Sequence, residues 1–590
     1  MQEEITFSKI IKAHEAELAK HTRTSDIVGY VKLLDIVVLC VVAYFLVTRG
    51  FPVWLVIISS VVLIELIIFF VLHRILFEKI AYSVGIIEIN KRHMSRISGE
   101  WANFEDTGEE FVNSEHFYSG DLDIVGKKSC FQFLNTTHTW FGRQSFAESI
   151  LEQKFSAEEI MRRQDAVGEL SKNIDFSNNM EFNFAKIGVH ASAKKLSDEL
   201  SNHRIFIKSK TSKFMLMYAP VLTFIIILAA LIYQVKTLYP LVGIIIFVQG
   251  MVWAFGANSQ KYLGSVAGLP YKLSSYVNVI KIIKSQNFVC EKLKQLQSSL
   301  LSADRAFAEL NEIADKTNVK HNAPLWYFLN IFLLWDYSCA IALEAWKNKY
   351  SAVSGDWFLA LGELESLLSF SVFPNVCDNT CRPAISEKSI VAREIGHPLI
   401  SNANRVNNDF HNENQIFIIS GSNMSGKTTF MRTVGINLVL ARAGSFVCAK
   451  EMQFFLAEIK TSMRITDDLN EGISTFYAEL KRIKGIIELC ETEPRTIFLI
   501  DEIFRGTNSA DRLAGAKAVL AKLQSLGATG LITTHDLELC EISSEYPRIK
   551  NFSFRENFRD NKIFFDYKLN PGKSTTTNAK YLMKMVGITH

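Results

Sequence analysis

The chain has 590 residues, 48% of them hydrophobic and 43 of them Phe, with 64 Lys and Arg against 61 Asp and Glu, a formal net charge of +3. That length calls for several domains, and a balance so close to neutral argues against an extended nucleic-acid-binding surface. No internal repeat or low-complexity tract is present, and the nine cysteines are scattered. Cys377 and Cys381 are the only close pair, with no second Cys/His pair at zinc spacing, which argues against a structural zinc site.

Residues 1–30 read as an N-terminal cytoplasmic segment. Leu33–Thr48 is apolar but holds Asp35 near its start, so it spans a bilayer only if Asp35 stays at the interface and Lys32 stretches toward the headgroups. Val53–Leu72 is twenty residues long and broken only by Glu65. With the turn Gly50-Phe51-Pro52 between them, residues 31–73 read as a transmembrane helical hairpin. Glu65 has two open readings. An ionisable group in mid-span is costly and by default points to function; alternatively it pairs with a polar group on a neighbouring span or lies near the interface.

Residues 74–210 read as helical, with Phe133-Leu134-Asn135-Thr136-Thr137, Phe141-Gly142-Arg143 and Arg163–Leu170 as distinctive runs. Phe214–Tyr233 and Leu238–Ala257 are each twenty residues without a charge. Joined at Lys236-Thr237, they make a second transmembrane hairpin over 211–257. The short connections carry Arg49 and Lys236, whereas the other flanks carry Lys20, Arg23, Lys32, Arg74, Lys79, Lys208, Lys210, Lys213 and Lys261. The positive-inside rule then places the termini in the cytoplasm, as in a multi-pass protein of a bacterial inner membrane. Cytoplasmic thiols are expected to be reduced. Lys194, Lys195, Lys208, Lys210 and Lys213 suit anionic lipid headgroups beside the third span. Residues 258–385 return to helical patterning. Within them Leu325–Leu343 is an apolar stretch interrupted by Asp336; it reads as a buried helix, with contact with the membrane as the alternative. Pro, Asn, Asp and Cys cluster over Pro374–Ser389, marking a boundary before a domain at 386–590.

That last domain carries the chemistry. Gly421-Ser422-Asn423-Met424-Ser425-Gly426-Lys427-Thr428-Thr429 follows the apolar run Ile416–Ile419 and precedes helical spacing of Phe430, Val434, Leu438 and Ala441. A buried parallel strand, a glycine-containing loop and a helix N-terminus form a cradle of N–H groups for an anion. In such a cradle Lys427 reaches the β- and γ-phosphates of ATP and Thr428 holds Mg²⁺. A second apolar run, Ile497–Ile500, ends in Asp501 and Glu502. Asp501 is the candidate Mg²⁺ ligand, and Glu502 the candidate base for the attacking water. Gly530-Leu531-Ile532 leads to Thr533-Thr534-His535-Asp536, where His535 is a candidate contact for the γ-phosphate or the water. Gly572-Lys573-Ser574 has Tyr567 where a second phosphate loop needs its first glycine, so it reads as a polar turn.

Residues 394–590 resemble the ATPase domain of the MutS family of DNA mismatch-repair proteins. The resemblance runs through Gly396-His397-Pro398, the 421–429 loop, Ala443–Val447, Asp467-Asp468-Leu469, Ser474-Thr475-Phe476, Asp501-Glu502 with Arg505-Gly506-Thr507, Thr534-His535, Phe565–Leu569 and Met585–Ile588. It implies an α/β P-loop, ABC-type ATPase that works as a homodimer with composite sites. Ser474 and Thr475 would reach the γ-phosphate held by the partner, and Asn508–Asp511 would line the dimer interface. The runs at 133–143 and 163–170, with Trp357 and Leu361–Glu365, resemble the MutS core or lever region. The fold expected is therefore a C-terminal ATPase domain preceded by a helical lever-like region (74–210 and 258–385) that carries two membrane hairpins.

The chain departs from the family in those hairpins, and in the Phe-x-Glu mismatch wedge. Phe146-Ala147-Glu148, Phe307-Ala308-Glu309 and Phe554-Arg555-Glu556 fit that pattern only in helical or ATPase context. The second hairpin lies where lever helices of the family reach a DNA clamp. Two functions stay open: ATP-dependent binding of mismatched or branched DNA near the membrane, or the same engine acting on a lipid, protein or transport partner without DNA.

Overall fold

The computed structural model describes residues 2–50, 52–152, 154–188, 192–201, 205–207, 209–235, 237–255, 259–264, 270–464, 475–493, 495–504, 509–559 and 562–574. The chain is helical as far as Val376 and α/β beyond it. A single helix, Gln2–Arg49, runs unbroken through the expected N-terminal segment into the first apolar stretch, and its partner Val53–Ser98 likewise continues past residue 73. The two pack along one another. Their apolar ends leave Val37, Val56, Leu63, Ile64 and Ile67 exposed, while their other ends enter the helical body, where Phe7 is buried against His93. Arg96 secures this junction by donating to the carbonyls of Phe133 (2.7 Å) and Asn135 (3.0 Å). Burial, helped by Arg96, pushes the His93 imidazole down to about 3, so it is neutral.

Among the described residues four helices are long and apolar enough to cross a membrane, those of the first hairpin, Lys210–Ile232 and Leu238–Phe255, or five if the bent pair Ala323–Leu333 and Trp335–Val376 is counted as one broken or re-entrant span. In the second hairpin Gln249 donates to Thr223 Oγ1 at 2.6 Å, a polar clasp between otherwise apolar helices. Glu65 is exposed on the first hairpin, and no hydrogen-bond or ion-pair partner for it is present among the described residues.

The single buried helix expected over Leu325–Leu343 is not what forms. The chain breaks at Leu334, whose φ is +47°, into Ala323–Leu333 and Trp335–Val376, inclined at 77°. The cause is local. Asn330 Oδ1 accepts the Asp336 N–H at 2.9 Å, replacing the main-chain carbonyl that a continuous helix would offer. Leu325, Tyr327 and Phe328 are exposed as a result.

Trp335–Val376, 42 residues and about 63 Å at 1.5 Å per residue, is the spine of the helical part. Against it lie Trp140–Leu151, Ala157–Lys172 and Ala303–Thr317. Buried Glu365 on the spine accepts the Thr139 N–H (3.0 Å) and hydroxyl (2.5 Å), and also the His138 N–H. Ser369 one turn on bonds Thr136 at 3.0 Å. These contacts account for the polar 135–139 run. Burial holds the Glu365 carboxyl above its ordinary range despite those donors.

Two short pairings lead into the C-terminal part, Thr380-Cys381 with Val447-Cys448 and Ala384-Ile385 with Gln453-Phe454. Its main sheet has six strands in the order Lys562–Pro571, Ile549–Arg559, Ile416–Ser420, Thr529–Thr534, Thr496–Asp501, Glu458–Ser462. All pairings are parallel except that of the first two. The central three strands are buried throughout, as expected for parallel strands with both faces covered.

Arg163 joins the two parts. Fully buried, it donates to Ala443 O (2.8 Å) and Ser149 Oγ (3.1 Å) and faces Glu363 at 3.3 Å. Gln164 beside it donates to Pro383 O at 3.0 Å and accepts from Arg382 at 2.9 Å. Arg163→Ala strands two buried acceptors, although Glu363 keeps Lys292 at 2.7 Å. The expected cost is about 3 kcal/mol, read as a lower thermal unfolding midpoint of the detergent-solubilised chain; an unchanged midpoint would show that the two parts are not joined there.

Candidate functional site

The parallel register brings the candidate residues together. Thr534 is level with Ser420 and Thr533 with Asp501, so three adjacent strands end at one edge of the sheet. From the first comes the 421–429 loop, from the second His535, and from the third Asp501 and Glu502. The carboxyl edge of an open parallel sheet is where such folds bind ligands.

The loop turns tightly. Gly426, with φ +104°, precedes the helix Lys427–Arg442, and a Cβ there would lie 3.0 Å from the Tyr567 ring. Met424 is almost fully exposed at φ +68°. Lys427 is buried, and its ammonium donates to the carbonyls of Gly421 (2.9 Å) and Ser422 (2.7 Å), with His535 Nε2 3.5 Å away. Ser425 Oγ is buried in the loop without a hydrogen-bond partner among the described residues. A ligand oxygen entering the loop would supply what that hydroxyl lacks.

Asp501 is held by two hydroxyls. Thr428 Oγ1 donates to its Oδ1 at 3.0 Å, and Thr533 Oγ1 at 2.5 Å. One hydroxyl and one carboxylate are hard oxygen donors that suit Mg²⁺ completed by phosphate oxygens and water. Among the described residues no group of three or more His, Cys, Asp or Glu forms a cage for a metal. Glu502 adopts φ +58°, which points its carboxylate out of the strand, and its Oε1 lies 2.5 Å from His535 Nε2. Strain of this kind concentrates at functional positions.

Residues that the sequence reading did not assign support this edge. Thr533 orients Asp501. Arg512 grips Asp536 with two bonds (2.9 and 3.1 Å), fixing the turn that carries His535. Buried Glu479 accepts the Phe504 N–H at 2.5 Å, just beyond Glu502. The hydroxyl doublet Thr533-Thr534 closing an apolar strand was a visible signal; the pairing of Arg512 with Asp536 had none in the linear sequence. Ser474, Asp467-Asp468-Leu469, Arg505–Asn508 and the 585–588 tail lie outside the described residues. Thr475 opens the helix Thr475–Thr492, but its side chain is likewise not described.

A cavity of about 660 Å³ joins the loop, Asp501, Glu502 and His535 to a less polar wall formed by Ile400, Val406, Phe554 and Tyr567. His397 lines it and is pushed down to about 4 by burial and then by Arg432 and Arg405, so it is a neutral imidazole. It receives the Leu399 N–H at 3.2 Å, while the Gly396 carbonyl accepts from Asn437 at 3.0 Å, which fixes this wall to the Lys427–Arg442 helix.

Residues 417–589 match the family model described as MutS domain V. Among curated proteins, the DNA mismatch repair protein MutS of Carboxydothermus hydrogenoformans is 29% identical over 317 residues, covering 52% of this chain and 34% of the relative. That of Chloroflexus aurantiacus is 32% identical over 215 residues (36% and 22%), and that of Methanococcoides burtonii 28% over 348 residues (57% and 36%). The matched part of the chain thus spans between about a fifth and a third of the length of these relatives.

Gly426→Ala would place a methyl against Tyr567 in left-handed backbone, a penalty of about 1–2 kcal/mol. Affinity for a fluorescent ATP analogue should fall about tenfold or more with little change in unfolding temperature. Unaltered affinity would show that this loop does not hold the phosphates.

Proposed function

We propose that this protein is a membrane-anchored MutS-type ATPase, a reading that the match of residues 417–589 to MutS domain V supports. The observation that carries this reading is the meeting of the 421–429 loop, the Thr428–Asp501 pair and the Glu502–His535 pair at one sheet edge. In it, ATP lies with its base against Ile400, Val406 and Tyr567 and its phosphates in the loop. Lys427 exchanges its carbonyl partners for the β- and γ-phosphate oxygens, and Ser425 joins the cradle. Thr428 and Asp501 would hold Mg²⁺, and the ion would supply positive charge beside the phosphates. Glu502 orients the attacking water in line with the γ-phosphorus and takes its proton, while His535 fixes the Glu502 carboxylate and senses the γ-phosphate.

By resemblance, two copies close around the nucleotides, with Ser474 and Thr475 of one reaching the γ-phosphate held by the other. The domain layout we propose is 1–30 cytoplasmic, hairpins at 31–73 and 211–257, a lever-like region at 74–210 and 258–385, and the P-loop ATPase domain from 386. The hairpins cross the membrane and leave the ATPase domain in the cytoplasm. The relatives' name, DNA mismatch repair protein MutS, supports mismatched DNA as the partner. A second reading, a mechanochemical ATPase acting on a lipid, protein or transport partner, draws on the position of the apolar Lys210–Phe255 hairpin between the outgoing and returning helices.

Lys427→Ala should lower ATP affinity at least about a hundredfold, roughly 3 kcal/mol. Glu502→Gln should bind ATP normally and turn over at least about a hundredfold more slowly, since it keeps the shape and loses the base. Normal turnover in the Gln variant would mean another group activates the water. Mismatched duplex should raise the ATPase rate of the intact chain at low salt, an effect that fades as salt rises. No stimulation at low salt would favour the second reading.

A further inference from the structure

The short helix Ala323–Leu333 has an apolar side that neither part of the protein covers. From Ala323 to Trp335 there is no charged residue, whereas Lys316, Lys320 and His321 immediately precede it. Eleven residues reach only about 16 Å, too short for a hydrocarbon core of about 30 Å. Trp326 and Asn330, one turn apart, face inward, while Leu325, Tyr327 and Phe328 face outward and are about half exposed.

The position of the helix narrows what covers that side. It packs on both helices of the second hairpin. Trp253, near the end of Leu238–Phe255, stacks edge-on with Trp326 (ring centroids 5.0 Å apart) and Tyr327 (5.6 Å). Buried Asp336 accepts the indole N–H of Trp326 at 3.2 Å and that of Trp253 at 3.4 Å, and Tyr337 donates to Val252 O at 3.1 Å. Lys213, near the start of the hairpin and so at the same end, pairs with Glu344 at 3.0 Å. A lysine, two tryptophans and a tyrosine gathered at this end of the hairpin are the residue types that mark where apolar helices leave a bilayer. The 77° bend at Leu334 turns Ala323–Leu333 away from the spine at that level.

We propose that Ala323–Leu333 lies in the headgroup layer of the membrane as an interfacial helix, with Leu325, Tyr327 and Phe328 inserted among the upper acyl carbons and Lys316 and Lys320 near anionic phosphates. This rests on the reading of the four apolar helices as membrane spans. It also places the first turn of the spine at the bilayer surface, so the 42-residue helix that reaches the ATPase domain starts on lipid.

The test uses the full chain with Cys40, Cys290 and Cys381 replaced by Ser and a single environment-sensitive thiol probe at Phe328→Cys, Leu325→Cys, Phe247→Cys or Glu387→Cys. Each variant is reconstituted in phosphatidylcholine–phosphatidylglycerol vesicles with bromine placed shallow or deep on the acyl chains. The probes at 325 and 328 should be quenched at least about twofold more by shallow than by deep bromine, that at 247 more by deep, and that at 387 by neither. Probes at 325 and 328 that escape quenching while 247 is quenched would overturn the interfacial helix and leave the spans intact, with chain-to-chain probe contact then identifying a second copy as the cover. Stronger quenching by deep bromine at 325 and 328 would make this segment part of a span, against the proposal. An unquenched probe at 247 would remove the membrane reading itself.

Discussion

The candidate site depends on the parallel pairing of Ile416–Ser420, Thr529–Thr534 and Thr496–Asp501. These strands are buried on both faces, so their side chains cannot change places without loss of core packing, and a slip of one residue would turn Asp501 away from Thr428. The register alone sets Thr533 beside Asp501 and His535 beyond it. The hydroxyls of Thr428 and Thr533 then hold one carboxylate oxygen of Asp501, while Glu502, in its left-handed backbone, lines the cavity paired with His535.

The helical part is joined to the C-terminal part in more than one place. Arg163 and Gln164 reach Ala443 and Pro383. Nearer the loop, Asp121 accepts from Thr461 Oγ1 (2.6 Å), the N–H groups of Met463 and Arg464 (3.0 and 2.9 Å) and Arg482 (2.8 Å). Asp123 binds Arg432 on the phosphate-loop helix (2.8 Å) and Arg464 (2.6 Å). One short segment of the helical part therefore touches both the helix behind the phosphates and the strand that leads toward Ser474.

Much of the site was legible because its chemistry is local in sequence. A strand, a glycine loop and a helix over 416–442, and a strand ending in two carboxylates, are each contiguous. The apolar hairpins were legible from length and lack of charge. What escaped was set by contacts distant in sequence. Arg512 acquires its role from Asp536, and Asp121 from residues some 340 positions away. The break at Leu334 escaped because an Asp within an apolar run reads as an interruption of one helix; only the Asn330–Asp336 bond and the two indoles around the carboxylate make it a corner. The unbroken Gln2–Arg49 helix merges what composition divides into a polar segment and a span.

The most direct measurement is phosphate release from ATP by the intact chain in detergent with Mg²⁺, over a range of protein concentrations. The account predicts hydrolysis whose rate per chain rises with concentration and then levels off, as the proposed completion of each site by a second copy requires. No hydrolysis at any concentration would contradict it, and a rate per chain independent of concentration down to the most dilute sample would contradict the shared site.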